Sequence, residues 1–411
     1  MINWKKNLFI IWLSQFLSIM GFSFSMSYHW VHMQEVLGVT DPNKLKLYIA
    51  LFGSAAPISL AIFGPIWGAA ADKFGRRLMC LRAYTGAAFF LYLMGITDNI
   101  IAFICVRFLQ GVLTGTMTAA QALVAVQTPE KHSGFALGTL NSGVYSGAMA
   151  GMAVGGICAE YFGTRNAFFI SSMILMGATL LMVFGTKEDF EKPKDTPSSD
   201  EQEPSTVNHS AAAMAKADKQ PSALRKFLPI MLLLTFASFA RRFDLAMFPL
   251  LVQEIQGSTE GAAMMFGFIM TPATIAGALS GICLGYLADR VKPSALLSTS
   301  ALLAAVCIFM IGQSQEMLPL FILRFAVSFC IGGFGPVLQS WISDNTAKDR
   351  RGRLFGWIAS ARAAGWVFAP LLSGSVAIIA NVRTVFTVGS VIFIALALAI
   401  PLISKRIKPS N

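Results

Sequence analysis

Long apolar runs separated by short charged or turn-forming stretches dominate the chain. The first of them, residues 8–34, contains no Asp, Glu, Lys or Arg. It is long enough to cross a hydrocarbon core of about 30 Å, which takes roughly 20 helical residues. Over 411 residues, 55% are hydrophobic, only 13% are charged and the mean hydropathy is +0.63, which excludes an ordinary soluble enzyme. The chain is therefore predicted to be an all-α integral membrane protein.

The apolar runs form two sets of six, which predicts twelve transmembrane helices in two six-helix bundles. The stretch between the sets, 187–226, is rich in Lys, Glu, Asp, Pro, Ser and Ala and cannot bury a core, so it is predicted to be a mostly disordered cytoplasmic linker. The predicted domains are an N-terminal bundle (1–186), this linker and a C-terminal bundle (227–411). The predicted spans are 8–34, 47–71, 78–97, 100–126, 136–159 and 166–186, then 228–253, 262–287, 294–312, 317–343, 354–379 and 383–404.

The distribution of basic residues predicts the orientation of the spans. Most of the 32 Lys and Arg residues fall on one side of the predicted membrane. The opposite loops hold few, namely Lys44, Lys46, Arg165 and Arg383. Because basic residues accumulate on the cytoplasmic side, both termini are predicted to be cytoplasmic, in an inner membrane. The net charge of +11 therefore reflects topology and does not indicate nucleic-acid binding.

The two halves of the chain are related by an almost constant offset. Asp72 and Arg107 have counterparts 217 residues later, at Asp289 and Arg324. Three glycines of the fifth span recur in the eleventh at an offset of 218. These pairs are Gly138 with Gly356, Gly147 with Gly365, and Gly156 with Gly374. A duplicated six-helix unit predicts two related bundles that face each other across a central cavity.

A charged hinge joins the second and third spans and carries the clearest motif. It reads Gly68-Ala-Ala-Ala-Asp72-Lys73-Phe-Gly75-Arg76-Arg77, and a shorter copy ends in Asp289-Arg290. The chain, apart from its linker, thereby resembles a transporter of the major facilitator superfamily, in the drug/proton antiporter branch that includes multidrug efflux proteins. The resemblance implies a gate at the cytoplasmic bundle interface. The alternative is that the hinge is only a topology anchor. The gating candidates are Gly68, Asp72, Lys73, Gly75, Arg76, Arg77, Asp289 and Arg290.

Two motifs on later spans bear on coupling. Arg107 lies about 10 Å below the outer end of the fourth span, where an arginine needs a partner or a wet cavity. The resemblance implies a role in proton coupling, and a structural hydrogen bond to neighbouring backbone is the alternative. On the fifth span, the antiporter pattern expects a proline after Gly151, but the chain has Met152, whereas the repeat keeps Pro370. This departure weakens the antiporter assignment.

The outer part of the first span departs from the family pattern. Its sequence is Tyr28-His29-Trp30-Val-His32-Met-Gln-Glu35. His32 and Glu35 lie three residues apart on one helical face, and such groups can titrate in a useful range. The alternative is an aromatic and polar cap at the outer membrane surface.

The seventh span carries Arg241-Arg242-Phe243-Asp244 about 20 Å along its length. Asp244 can pair with Arg241 at helical spacing, which leaves Arg242 without an intrahelical partner. Together with Arg107, Arg324 and Arg362, these two make five embedded arginines. They predict a net-positive cavity for an anionic or carboxylate-bearing substrate, and mutual neutralisation is the alternative. The candidate coupling residues are Arg107, Asp244 and Glu35. The candidate substrate-binding residues are Arg241, Arg242, Arg362, His29, Trp30, Phe243, Met247 and Trp341.

The sequence as a whole predicts a proton-coupled secondary transporter that exports a small organic molecule, either a drug-like compound or an anionic metabolite, by alternating access. An importer or lipid-type flippase on the same fold, or a non-transporting membrane sensor, are the alternatives. No catalytic triad, P-loop or metal-ligand spacing occurs in the sequence. We therefore expect no enzymatic activity and no cofactor, a proton gradient as the energy source, and no nucleic-acid partner. The expected partners are a small-molecule substrate and the lipid bilayer, with the protein as a monomer.

Overall fold

The structure is a computed structural model that describes residues 4–129, 132–186, 188, 221–288, 290–335, 337–338 and 351–404. These residues are almost entirely helical and contain no strand, which confirms the predicted all-α fold. Trp341 and Asp289 lie outside the described residues, as does nearly all of the predicted linker. The predicted division into 1–186, 187–226 and 227–411 stays a prediction. In the first half the helices are α1 (Trp4–Met26), α2 (His29–Glu35), α3 (Pro42–Phe74), α4 (Arg76–Ile96), α5 (Ile100–Leu113), α6 (Thr116–Gln127), α7 (Ser133–Phe162) and α8 (Thr164–Gly185).

The second half repeats this pattern of helices. In the described chain as a whole, eight helices are long and apolar enough to cross a membrane. Its described helices are α9 (Pro221–Phe243), α10 (Phe248–Gln256), α11 (Ala262–Ala288), α12 (Pro293–Gln313), α13 (Met317–Gly332), α14 (Arg351–Ile379) and α15 (Val382–Ser404).

Three predicted spans are each broken into two helices. The first breaks at residues 27–28, the fourth at 114–115 and the seventh at 244–247. The second break contains Gly115, whose φ of 129° is unfavourable for a residue with a side chain. Hydropathy does not reveal these breaks because the sequence is apolar on both sides of each. The break of the seventh span adjoins Arg241 and Arg242, and the break of the first lies beside Arg107, which contacts Met26, so both shape the central cavity.

Local chemistry explains where several helices begin. The Asp41 carboxylate accepts hydrogen bonds from the amides of Asn43 and Lys44, and Pro42 occupies the first helical position of α3. Gly75 alone separates α3 from α4, with φ 93° and ψ 150°, so the hinge is a one-residue turn that requires glycine.

The two ends of the molecule can be told apart by their contacts. Asn7 donates to the Gln127 side chain, and a Cβ built on Gly185 would lie 2.7 Å from Ile10. These contacts define the terminal end, where the chain begins and α6 and α8 end. The opposite end, which holds α2 and α10, is the far end. By the charge distribution, the terminal end is the predicted cytoplasmic side.

The bundles are in close contact toward the far end, along two related helix crossings. At the α7–α11 crossing, a Cβ on Gly156 would lie 2.4 Å from the Ala263 carbonyl oxygen, and one on Gly267 would lie 2.4 Å from that of Met152. At the α3–α14 crossing, a Cβ on Gly374 would lie 2.5 Å from Ala50. Only glycine permits so close an approach of two backbones. We call these two crossings the far-end seam.

Toward the terminal end, the same helices are apart. A Cβ built on Gly64 or Gly68 of α3 would meet no atom within 4 Å. Their counterparts 217 residues later, Gly281 and Gly285 of α11, are equally unobstructed. Among the described residues, the cavity between the bundles is therefore closed at the far end and open toward the terminal end.

Candidate functional site: a cationic cavity between two bundles

Arg107 on α5 is an embedded cation surrounded by π-systems. It is 5% exposed, and its guanidinium carbon lies 4.8 Å from the ring centroids of both Phe22 and Phe52. Its Nη1 donates to Gln110 Oε1 at 2.5 Å, while its Nε has no hydrogen-bond partner. Two aromatic faces and one neutral amide attract a cation but leave its charge uncancelled. No carboxylate of the described chain pairs with Arg107.

Arg242, at the end of α9 in the other bundle, is the second such cation. Its guanidinium carbon lies 4.5 Å from the Trp366 ring centroid. Although it lies deep along its span, the side chain is exposed, so it faces water-accessible space. Its charge is close enough to those of Arg107 and Arg241 to repel both. Cations from the two bundles therefore share one cavity. Arg362, also exposed, is in electrostatic range of Arg241.

Asp244 does not pair with Arg241, so the predicted intrahelical pair is wrong. Its Oδ2 instead accepts from Arg324 Nη1 of α13 at 2.6 Å, with both side chains almost fully buried. The reason is local: α9 ends at Phe243, and Asp244 lies in the turn that follows, where helical i, i+3 geometry no longer holds. The pair neutralises Arg324, so the acid of the seventh span does not compensate its neighbouring arginines.

The duplication shows what the first half lacks. Arg107 and Arg324 are counterparts, and both lie over an aromatic ring, which for Arg324 is Phe248 at 4.9 Å. The counterpart of Asp244, at the break of the first span, is Met26–Ser27. There the Met26 sulfur lies 3.9 Å from Arg107 Nη2. A thioether thus occupies the place that a carboxylate holds in the second half, and Arg107 stays charged and unneutralised.

Most of the predicted apolar substrate contacts are buried in this conformation. His29 is 8% exposed and stacks on Phe52 at 4.8 Å, next to Arg107. Trp30 is completely buried and packs edge-on against Phe266 of the other bundle, so it belongs to the closed far end. Phe243 and Met247 are buried as well.

Glu35 lies at the far end, beyond the apolar spans, and is apart from the arginines. With Glu160 and Glu260 it lines a cavity of about 460 Å³ between the bundles. Glu160 Oε2 accepts from the Gly261 amide at 2.8 Å, which links the two halves. Burial, followed by the repulsion of Glu160, raises the pKa of Glu35 above its ordinary value. A reciprocal amide pair between Gln34 and Gln253 closes the same region.

The hinge contacts that the described residues show lie within the first half of the chain. The backbone amides of Arg76 and Arg77 donate to the Glu188 carboxylate, which places a negative charge at the start of α4. The Arg77 guanidinium donates to Thr186 Oγ1 and to the Val183 carbonyl oxygen. Lys73 is exposed, and Arg290 stacks on Tyr286 at 4.3 Å. The side chain of Asp72 lies outside the described part of the structure.

The aromatic partners of the cavity arginines cannot be recognised from the sequence. Phe22, Phe52 and Trp366 are ordinary aromatics within apolar spans, and only the fold brings them onto guanidinium groups. The contact of Gln110 with Arg107 could have been predicted, because the two lie three residues apart and helical spacing places them on one face.

Comparison with known proteins identifies the family. The family model described as Major Facilitator Superfamily matches residues 11–315 and 234–411. The chain belongs to the Major Facilitator Superfamily. Multidrug resistance protein MdtG of Citrobacter koseri is 33% identical over 397 residues, which cover 96% of this chain and 94% of the relative. The Escherichia coli O17:K52:H18 protein of the same name is 32% identical and covers 95% and 93% respectively.

Solved structures agree on the fold of this facilitator. The nucleoside transporter NupG superposes with a TM-score of 0.74 at 12% identity, over 98% of this chain and all of that one. The human organic anion transporter MFSD10 gives 0.67 at 17% identity, over 97% of this chain and all of that one. By its family and its MdtG relatives, the protein is a multi-pass membrane transporter of a small molecule, and not an enzyme.

Proposed function

We propose that this facilitator is a proton-driven exporter of small organic anions, including drug-like ones, in an inner membrane with both termini in the cytoplasm. The multidrug resistance proteins that it resembles support export of drug-like compounds. The unneutralised arginines support a negatively charged substrate. An organic anion would be attracted from the open terminal end toward Arg107 and Arg242, and the aromatic rings around them would bind its apolar part.

One observation carries the choice of an anion. Two counterpart arginines occupy equivalent places in the duplicated halves, and only Arg324 has a carboxylate. A fold that accommodates Asp244 beside one arginine can accommodate an acid beside the other. Its absence at Met26 leaves a positive site where the bundles meet. An exporter of lipophilic cations would need the opposite arrangement, with an accessible acid in the cavity.

We assign proton coupling to Asp244, which is buried. Asp244 is the proposed carrier of the coupling proton: among the described residues its Oδ1 has no hydrogen-bond partner, whereas Oδ2 accepts from Arg324. Protonation would weaken the ion pair at the break of the seventh span, where α9 meets α10. A local change there would alter how the bundles meet. Arg107 and Glu35 are the other proposed coupling residues.

The test is transport in proteoliposomes with an imposed pH gradient. The wild type should move salicylate against its gradient when the receiving side is acidic, and a protonophore should abolish this movement. Arg242→Gln should reduce the rate at least tenfold, whereas the matched variant Arg165→Gln, which changes an exposed arginine outside the cavity, should not. The proposal would be wrong if tetraphenylphosphonium were the transported ion, or if Arg242→Gln left salicylate transport unchanged.

A further inference from the structure

Arg82 is an embedded cation that the central cavity does not use. It lies on α4, one of the long apolar helices. Around it, one stripe of α4 is exposed at helical spacing and apolar, as expected of a surface that faces lipid. Arg82 continues this stripe but is itself half-buried. The exposed members are Leu78, Phe89, Tyr92 and Ile96.

The protein holds the Arg82 side chain without cancelling its charge. The guanidinium carbon lies 3.7 Å from the Trp67 ring centroid, and Trp67 is fixed by its Nε1 donating to the Val112 carbonyl oxygen at 2.6 Å. Arg82 Nη1 contacts the Met79 sulfur at 3.6 Å, and Nε has no hydrogen-bond partner among the described residues. No carboxylate of the described chain pairs with Arg82. Something outside the described protein must therefore solvate this charge.

The position of the side chain places the charge near a membrane surface. Arg82 lies six residues beyond the start of α4, so its Cα is roughly 9 Å along the helix from the terminal end. Helical Cα–Cβ bonds tilt toward the helix N-terminus. The contact with Met79 shows that the side chain runs back by nearly one turn in that direction. An arginine with this orientation extends toward the lipid headgroups.

We propose that Arg82, stacked on Trp67, binds the phosphate of an anionic phospholipid in the leaflet at the terminal end. Trp67 covers one face of the guanidinium, which leaves its edge to donate to phosphate oxygens. The apolar stripe beside it accommodates the acyl chains. Exposed Lys73, near the start of α4, adds positive charge at the same surface.

Lipid binding to the purified full chain tests this site. The protein in neutral detergent is titrated with phosphatidylglycerol or phosphatidylcholine, and bound lipid is counted by native mass spectrometry. The wild type should prefer phosphatidylglycerol. Arg82→Gln should bind it about fivefold more weakly, the factor expected for one basic residue near a membrane surface. Arg165→Gln removes an exposed arginine at the far end, away from the leaflet of Arg82, and it should bind as the wild type does.

Two results would overturn the proposal. One is equal phosphatidylglycerol binding by Arg82→Gln and the wild type. The other is thermal stabilisation of the wild type by soluble glycerol phosphate to the same extent as by phosphatidylglycerol, which would identify a free phosphate as the ligand. If Arg82→Gln does not fold, Arg82→Lys and Trp67→Phe replace it. Both should weaken lipid binding, and wild-type binding by both would refute the site.

Discussion

The far-end seam offers the sharpest test of how this transporter moves. In Gly267→Ala, the new methyl group would lie 2.4 Å from the Met152 carbonyl oxygen of the opposite bundle, whereas ordinary contacts begin at about 3.4 Å. The α7–α11 crossing must therefore open by roughly 1 Å. Overpacking of this kind costs about 1–3 kcal/mol. The cost falls only on the conformation in which the seam is closed, so the equilibrium should shift about 5- to 150-fold toward opening at the far end.

Chemical crosslinking measures this shift. Gln34→Cys and Gln253→Cys place thiols where the two amides meet, in a protein whose exposed Cys105 and Cys283 are replaced by alanine. A short bifunctional thiol reagent should then link the bundles more slowly in Gly267→Ala than in the parent, at most by the factor of the equilibrium shift.

Two matched glycines serve as controls for the crosslinking experiment. Gly177→Ala adds a methyl group with no atom within 4 Å and should change neither rate nor stability. Gly151→Ala places its methyl group 2.3 Å from the Met20 carbonyl oxygen within one bundle, so it should lower thermal stability without a selective effect on crosslinking. Parental crosslinking and parental stability in Gly267→Ala would refute the inference that this seam closes by backbone contact.

Three further predictions concern charge. Asp244→Asn leaves Arg324 buried without its counter-charge and should destabilise the protein by about 3–5 kcal/mol, measured as a large fall in melting temperature in detergent. The double variant Asp244→Asn with Arg324→Gln should recover part of this stability. An unchanged melting temperature in the single variant would contradict the ion pair. Met26→Asp supplies the carboxylate that the first half lacks and should abolish salicylate transport, whereas the neutral control Met26→Leu should retain it. Transport by both variants would show that Arg107 does not bind the anion. Because the pKa of Glu35 is raised where the seam is closed, that conformation binds the proton more tightly, so the crosslinking rate of the Gln34→Cys and Gln253→Cys pair, divided by the rate of the same pair in Glu35→Gln at each pH, should rise as pH falls toward the ordinary value of 4.5. The ratio cancels the loss of reactive thiolate at low pH. A ratio that does not change with pH would assign any pH response elsewhere, for example to Glu160 or Glu260 in the same cavity.

The sequence predicted the helical fold well because its strongest signals are global. Hydropathy reports burial in lipid averaged over many residues, and duplication at an offset of 217 or 218 relates entire spans. The same averaging hides local events. Arg82 lies inside the predicted span 78–97, where one charge among apolar residues hardly changes the mean, and the break at Gly115 lies between two apolar stretches.

The charged site was only partly predictable, because pairing depends on distances between helices. Arg107, Arg242 and Arg362 were recognisable as embedded charges from their positions alone. The partner of Asp244 was not, since helical spacing suggested Arg241, whereas the end of α9 at Phe243 directs the acid to another helix. Trp30 illustrates the same limit, because this predicted substrate-binding residue is buried against Phe266 between the bundles.

The asymmetry between the halves has a consequence for transport under the proposed function. Arg107 and Arg242 repel each other across the cavity, and closing the terminal end would bring their bundles together. Without a substrate, this repulsion opposes closure. An anion between them replaces one repulsion by two attractions, which are strong where water is scarce. The loaded transporter would therefore close at the terminal end more readily than the empty one. An exporter requires this order, because closing while empty would return protons without moving substrate. Arg242→Gln should remove the barrier to empty closure, so a pH gradient should dissipate faster in its proteoliposomes without substrate than in those of the wild type. Equal rates of dissipation would show that the repulsion does not govern the cycle.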